Sequence, residues 1–157
     1  MVVRPAERED RPQLVELIKG YFAFYRTVFP PDPKMEGFLD LLEQDRGRGV
    51  QLVADEGGRL QGFASLYACL DTLLADRILV MNDLFVDPSV RSHGIGAALF
   101  NASLAYATEH GYARLDWVTA ADNHDAQRFY DRHGGRRGHW ISYSATSAIA
   151  LTAKRET

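Results

Sequence analysis

The residues of this chain best placed by type and spacing to do chemistry run from Arg91 to Ala97, as Arg91-Ser92-His93-Gly94-Ile95-Gly96-Ala97. Two glycines one residue apart let the main chain approach a ligand closely. The helix-forming run that follows, Ala97-Ala98-Leu99-Phe100 onward, presents unpaired N–H groups and a partial positive charge at the same spot. Arg91 adds a full charge. Together these make a recipe for holding phosphates. Just upstream, Asp83 follows Asn82 within a dense apolar segment, Ile78 to Val86, and further on Phe129 and Tyr130 bring aromatic and phenolic groups close to Gly134 and Gly135. The five histidines, His93, His110, His124, His133 and His139, show no metal-ligand spacing and have no partner cysteines, so no metal is expected. Cys69, the single cysteine, reads as a small core residue rather than an acyl-transfer nucleophile.

Three phosphate motifs compete for the two glycines. A P-loop needs lysine directly after its last glycine, but the lysines here are Lys19, Lys34 and Lys154. A dinucleotide fingerprint wants a third glycine where this chain has Leu99. Asp116 lies at a suitable distance for its ribose-binding acid, yet only one strand–helix–strand unit is visible, and it sits mid-chain. The third motif depends on the elements around the loop.

Those elements are readable from apolar spacing. Met1 to Pro5 supplies a short strand. Ala6 to about Phe29 repeats apolar residues at helical spacing, and Pro30-Pro31-Asp32-Pro33 ends that helix. A second helix carries Met35, Phe38, Leu39 and Leu42 on one face and Glu36, Asp40, Glu43 and Asp45 on the others. Gln51–Asp55 and Leu60–Leu70 form a hairpin across Glu56-Gly57-Gly58-Arg59. Arg77–Val86 reads as the central strand, followed by the glycine loop and a helix reaching about His110 with Gly111 as its cap. A strand over Arg114–Thr119, a short helix over Asp125–His133, and a last hairpin from His139–Tyr143 and Ala148–Thr152 complete the chain. The order implies one α+β domain spanning residues 1–157: a mixed, mostly antiparallel sheet with a central parallel strand pair, flanked by helices.

Composition sets bounds. With 18 basic and 21 acidic residues the formal charge is −3, so general affinity for nucleic acid or an anionic membrane is not expected. A single cysteine, no signal-peptide pattern and no apolar run near the roughly 20 residues needed to span a bilayer point to a cytoplasmic protein.

Arg91-Ser92-His93-Gly94-Ile95-Gly96 resembles the Q/R-x-x-G-x-G/A signature of the GNAT superfamily of acyl-CoA-dependent N-acyltransferases. Leu84-Phe85-Val86-Asp87-Pro88 is similar to the end of that family's fourth strand. Leu60-Gln61-Gly62-Phe63-Ala64 is similar to its third. Asp122-Asn123 and Phe129-Tyr130-Asp131-Arg132-His133-Gly134-Gly135 look like its second motif. The match in type and order runs from about Gln51 to Gly138.

The resemblance implies acetyl-CoA as co-substrate, no metal, and a parallel strand pair splayed to admit the coenzyme. The main chain from Ser92 through His93, Gly94, Ile95 and Gly96 to Ala97 would cradle its diphosphate, with Arg91 beside it. Leu84, Phe85 and Val86 would pair with the pantetheine arm through their main chain, and Asn123 and Ala126 would contact that arm from the later helix. Tyr130 would protonate the departing thiolate. Asp83 would hold or deprotonate the amine, and strand alternation would turn only one of Asn82 and Asp83 to the cleft. Tyr21, Tyr25 and Phe29, with the acids between Met35 and Asp45, would line the acceptor side. The expected reaction is direct acetyl transfer to the primary amine of a small cationic acceptor. Acetylation of a protein N-terminus or lysine, and a catalytically silent acyl-CoA sensor, are the alternatives. The family also allows a homodimer paired through the C-terminal hairpin.

Overall fold

The computed structural model describes residues 1–91 and 93–146; Ser92 and the expected strand arm Ala148–Thr152 lie outside the described residues. The chain divides into two compact units, Met1–Ala120 and Ala121–Thr157.

The first unit holds a five-stranded sheet in the order β1 (Val2–Pro5), β2 (Gly49–Glu56), β3 (Arg59–Asp71), β4 (Asp76–Val86) and β5 (Leu115–Asp116). The first four pair antiparallel and β4–β5 is parallel, so this is the expected mixed α+β sheet. Among the described residues β3 takes the middle of the order, and β4 stands between it and the short β5. Residues 139–146 contain no strand, so the first arm of the expected C-terminal hairpin does not form there.

Helices α1 (Arg11–Phe24) and α2 (Asp32–Gln44) cover one face. Leu14, Leu17 and Ile18 of α1 and Met35 and Leu39 of α2 pack with Val53, Phe63 and Phe85 of the sheet. The other face meets α3 (Ile95–Glu109), which buries Ile95, Leu99, Phe100 and Ala107. Period-2 alternation explains the split: Phe63 faces α1, whereas a Cβ on the neighbouring Gly62 would point at Leu99 Cδ1, 3.2 Å away. That same Cβ would sit 2.6 Å from the Phe85 carbonyl, so only glycine lets β3, β4 and α3 approach this closely.

Several boundaries differ from expectation for identifiable reasons. Helix α1 starts at Arg11 because Arg8–Asp10 forms a 3-10 turn, in which the Asp10 carboxylate accepts from the Glu7 N–H at 2.8 Å. It ends at Phe24, where Arg26 adopts φ 53 and the Thr27 N–H reaches back to the Phe22 carbonyl. The apolar period ran on past this end, but Val28 is 89% exposed and Phe29 folds back against Phe22. Strand β5 spans two residues rather than six: Arg114 is held by Asp71 and Asp116, and Trp117 turns its ring edge-on to Phe100. Cys69 is exposed rather than in the core. The second unit contains α4 (His124–Arg132), close to its expected range.

The N-terminus is tied to this frame by a fork. Arg4 donates to both Asp10 oxygens, at 2.6 and 2.9 Å, and to Asp55 at 2.8 Å. The guanidinium holds the Asp10 carboxyl below the usual carboxylate range, against the opposing effect of burial. A carboxyl with a depressed folded pKa stabilises fully above its unfolded value of about 4 and loses that contribution as pH falls through the folded value. Asp10→Asn is therefore expected to lower stability by about 2 kcal/mol at pH 7. The gap to wild type should shrink steadily below about pH 4, as read by urea unfolding at both pH values.

Candidate active site

Strand β4 carries an extra residue against β3. Ser65 faces Asp83 and Leu66 faces Met81, so Asn82 is left as a bulge. A bulge breaks the alternation of side chains. As a result Asn82 and Asp83 do not simply point to opposite faces: the Asn82 Nδ2 donates to Asp83 Oδ1 at 3.1 Å. Beyond the bulge Asp83 and Phe85 lie on the α1 and α2 face.

Two phenols, Tyr21 and Tyr67, sense that carboxylate. Tyr21, on α1, packs edge-on against Phe85 and Phe63, and Tyr25 stacks edge-on against Tyr21 at 5.0 Å. Burial pushes the Tyr21 phenol well above its usual range, and the charge and hydrogen bonding of Asp83 push it further. Tyr67 comes from β3, with Phe38 of α2 edge-on to its ring at 6.1 Å. Its phenol is pushed up to about 12, first by burial and then by the Asp83 charge. Both phenols are protonated at neutral pH. Ser65 and Tyr67 were not foreseen, because only the strand register sets Ser65 opposite Asp83 and Tyr67 on the same face of β3.

Other expected acceptor-side groups stand elsewhere. Phe29 packs on Phe22 at 5.3 Å. The acids of α2 do not form a free anionic rim: Glu36, Asp40 and Glu43 all bind the Arg11 guanidinium, at 2.6, 2.8 and 2.5 Å, and Asp45 pairs with Arg48. Arg11 follows directly on the 3-10 turn, and its guanidinium pairs with all three, offsetting one of their charges.

The coenzyme side begins at the other edge of β4. The parallel pairing with β5 covers only Leu79 and Val80, so within the first unit β5 leaves that edge unpaired from Met81 to Val86. The Asp87 N–H donates to Gln61 of β3, so alternation turns the main chain of Val86 away from β3, Phe85 towards it, and Leu84 away again. Leu84 and Val86 are thus the residues able to pair with an extended amide-rich arm. The Val86 carbonyl currently accepts from Arg91 Nε at 3.2 Å, and the Arg91 guanidinium lies over the Phe24 and Phe85 rings.

The loop fits a diphosphate. Gly94 adopts φ 77 with nothing within 4 Å of where a Cβ would stand, so the approach is open and favours glycine. The first helical bond of α3 runs from Ala98 N to the Gly94 carbonyl, and its N-cap has no side-chain partner. The amides of Ile95, Gly96 and Ala97 therefore lie at a helix N-terminus without an intrahelical acceptor. His93 folds back, its Nδ1 on the carbonyls of Val90 and Arg91 at 3.1 and 2.9 Å.

In the second unit the Asn123 side chain caps α4 by accepting from Ala126 N at 3.1 Å. Tyr130 is half-buried in the last turn, edge-on to Phe129, and its carbonyl accepts from Gly135 N. Among the described residues no group of three or more histidine, cysteine, aspartate or glutamate side chains is placed to hold a metal ion.

The sequence profile described as the Acetyltransferase (GNAT) family matches residues 13–135. The chain is 32% identical over 134 residues to the uncharacterized N-acetyltransferase YhfO of Bacillus subtilis (strain 168), covering 85% of this chain and 89% of that protein. It is 31% identical over 133 residues to the D-amino-acid N-acetyltransferase HPA3 of Saccharomyces cerevisiae, covering 84% and 83%. Its fold superposes on the crystal structure of a probable acetyltransferase with a TM-score of 0.82 and 27% identity, over 94% of this chain and 99% of the other. The glycine loop, the bulged β4 strand and α4 all fall inside the matched span, and the chain belongs to the GNAT family of acyl-CoA-dependent N-acetyltransferases.

Proposed function

We propose that this enzyme transfers the acetyl group of acetyl-CoA to the primary amine of a small cationic acceptor by direct attack, with both units acting as one catalytic domain. The observation that carries the acceptor assignment is Asp83. It is a carboxylate among phenols and aromatic rings, next to the unpaired edge of β4. Glu36, Asp40 and Glu43 are engaged by Arg11, whereas Asp83 lies beside two phenols and supplies the attraction for an ammonium group. The yeast relative acts, by its name, on D-amino acids, so amino acid amines join polyamines and aminoglycosides on the acceptor panel. The lone cysteine suits a reducing, cytoplasmic setting.

The coenzyme supplies an activated acetyl thioester, and the residues of the chain supply the rest. The amides of Ile95, Gly96 and Ala97, with those of Ser92 to Gly94, hold the diphosphate. Arg91 leaves Val86 and adds a charge-assisted contact. The Leu84 and Val86 main chain pairs with the pantetheine arm, and one of their N–H groups faces the thioester carbonyl, where negative charge develops. Asn123 retains its side-chain N–H groups for the arm while its oxygen caps α4. Asp83 holds the acceptor as an ammonium and takes its proton directly or through a water. The neutral amine then forms the C–N bond, the C–S bond breaks, and the nitrogen releases its second proton to solvent. Tyr130, with a reference pKa of about 10, donates its proton to the departing thiolate.

A thiol-release assay with acetyl-CoA across an amine panel tests the reading: cationic amines should be acetylated, and coenzyme binding without turnover on any amine would leave a sensor instead. Tyr130→Phe is expected to lower kcat by about a hundredfold, in the range of general-acid contributions, with little change in acetyl-CoA affinity. Unchanged kcat would remove its role as acid. Gly94→Glu should abolish coenzyme binding, measured by calorimetry, while Gly94→Ala weakens it far less. Both share the cost of φ 77 but only one brings an anion. Equal losses would assign the effect to backbone strain.

A further inference from the structure

The Arg91 side chain turns toward α1, away from the helix whose first amides face the diphosphate. Its guanidinium carbon lies 5.6 Å from the centroid of the Phe24 ring and 5.9 Å from that of Phe85. Both distances are within the range at which a cation is held over an aromatic face. Phe85 packs with Leu14, Leu17 and Ile18 in the core beneath α1, and Phe24 is the last residue of α1. Helix α3 covers the opposite face of the sheet. The charge beside the glycine loop is therefore drawn to the acceptor side of β4.

The hold on that charge is light. Nε donates to the Val86 carbonyl at 3.2 Å, and the two rings supply the rest. Among the described residues no carboxylate pairs with Arg91. Asp87, the nearest acid along the chain, gives its Oδ1 to the Ser89 N–H and hydroxyl at 2.9 and 2.8 Å. The two rings differ in kind. Phe85 is 5% exposed and fixed by Tyr21, by Phe63 and by close contact with α1, where a Cβ on Gly20 would stand 3.1 Å from its Cζ. Phe24 is 52% exposed, lies outside that core cluster and packs edge-on against Tyr25 at 5.0 Å. Its contact with the guanidinium is the one that can be removed without opening the core.

We infer that Phe24 is a positioning residue for Arg91: its ring holds the guanidinium on the α1 side of β4, and the coenzyme must draw it away to bind. The inference rests on the assignment of Arg91 to the diphosphate. In the position over Phe24, Arg91 withholds its charge from the glycine loop and occupies the Val86 carbonyl that the pantetheine arm would use. Coenzyme and clasp compete for the same side chain, so whatever stabilises the clasp lowers coenzyme affinity by the same factor. Phe24 thus acts on the coenzyme through Arg91.

The test is a double-mutant cycle on the full-length protein, with the Kd of coenzyme A read by calorimetry at fixed ionic strength. Phe24→Leu keeps an apolar helix former at an exposed position and removes the ring. It should tighten coenzyme A binding about threefold, the size of one exposed cation–ring contact. Lost packing alone would not produce a gain. Phe24→Met supplies a second ring-free variant should the first fail to fold, and Phe24→Tyr keeps the ring and should bind as wild type. Arg91→Ala should weaken binding about tenfold. Added to it, Phe24→Leu should change nothing, because the ring acts through the arginine. Unchanged or weaker binding in the ring-free variants overturns the role of Phe24, as does an equal gain in Phe24→Tyr or a gain that persists without Arg91. Unchanged or tighter binding in Arg91→Ala alone overturns the earlier assignment of that residue instead.

Discussion

Asn82 is one residue more than β3 can pair, and the geometry around Asp83 depends on that excess. Without it, alternation along β4 would run unbroken from Met81 to Phe85, and the side chains on either side of the insertion would exchange faces. With it, Asp83 shares the α1 and α2 face with Phe85, while Asn82 stays close enough to bond the carboxylate it precedes. The same strand must serve two partners. Its inner edge is bound to β3 along its length, whereas its outer edge is paired to β5 only at Leu79 and Val80.

Charge is distributed to match. The acids of α2 would make a broad negative face if they were free, but Arg11 collects Glu36, Asp40 and Glu43 and so fastens α1 to α2. Asp83, by contrast, has no such basic partner among the described residues and lies beside the Tyr21 and Tyr67 phenols. Arg4 plays a comparable part at the N-terminus, where Asp10 and Asp55 share its guanidinium.

Much of this was legible in the sequence because local signals and packing agreed. The glycine loop, the strand before it and the helix after it stand where spacing put them, and the hairpin at Gly57-Gly58 turns where expected. What could not be read were matters of register and of remote partners. The place of Ser65 opposite Asp83 follows only from the pairing of β3 with β4. The α2 acids looked like a free surface until Arg11, distant in sequence, was found among them. The apolar spacing beyond Phe24 suggested more helix, but Tyr25 and Val28 are exposed and the left-handed Arg26 ends the turn. Cys69 was assigned by residue type to the core, whereas its place near the end of a strand leaves it exposed.

Within the first unit, the outer edge of β4 that β5 leaves unpaired carries a liability of its own. A strand margin with free donors and acceptors is a template on which a second chain can add its own strand, the first step of sheet-like aggregation. Two features blunt it within the first unit. The kink at Asn82 interrupts the flat run a foreign strand would need, and Arg91 occupies the carbonyl of Val86 near its far end. Arg91 thereby keeps that margin from recruiting the wrong neighbour.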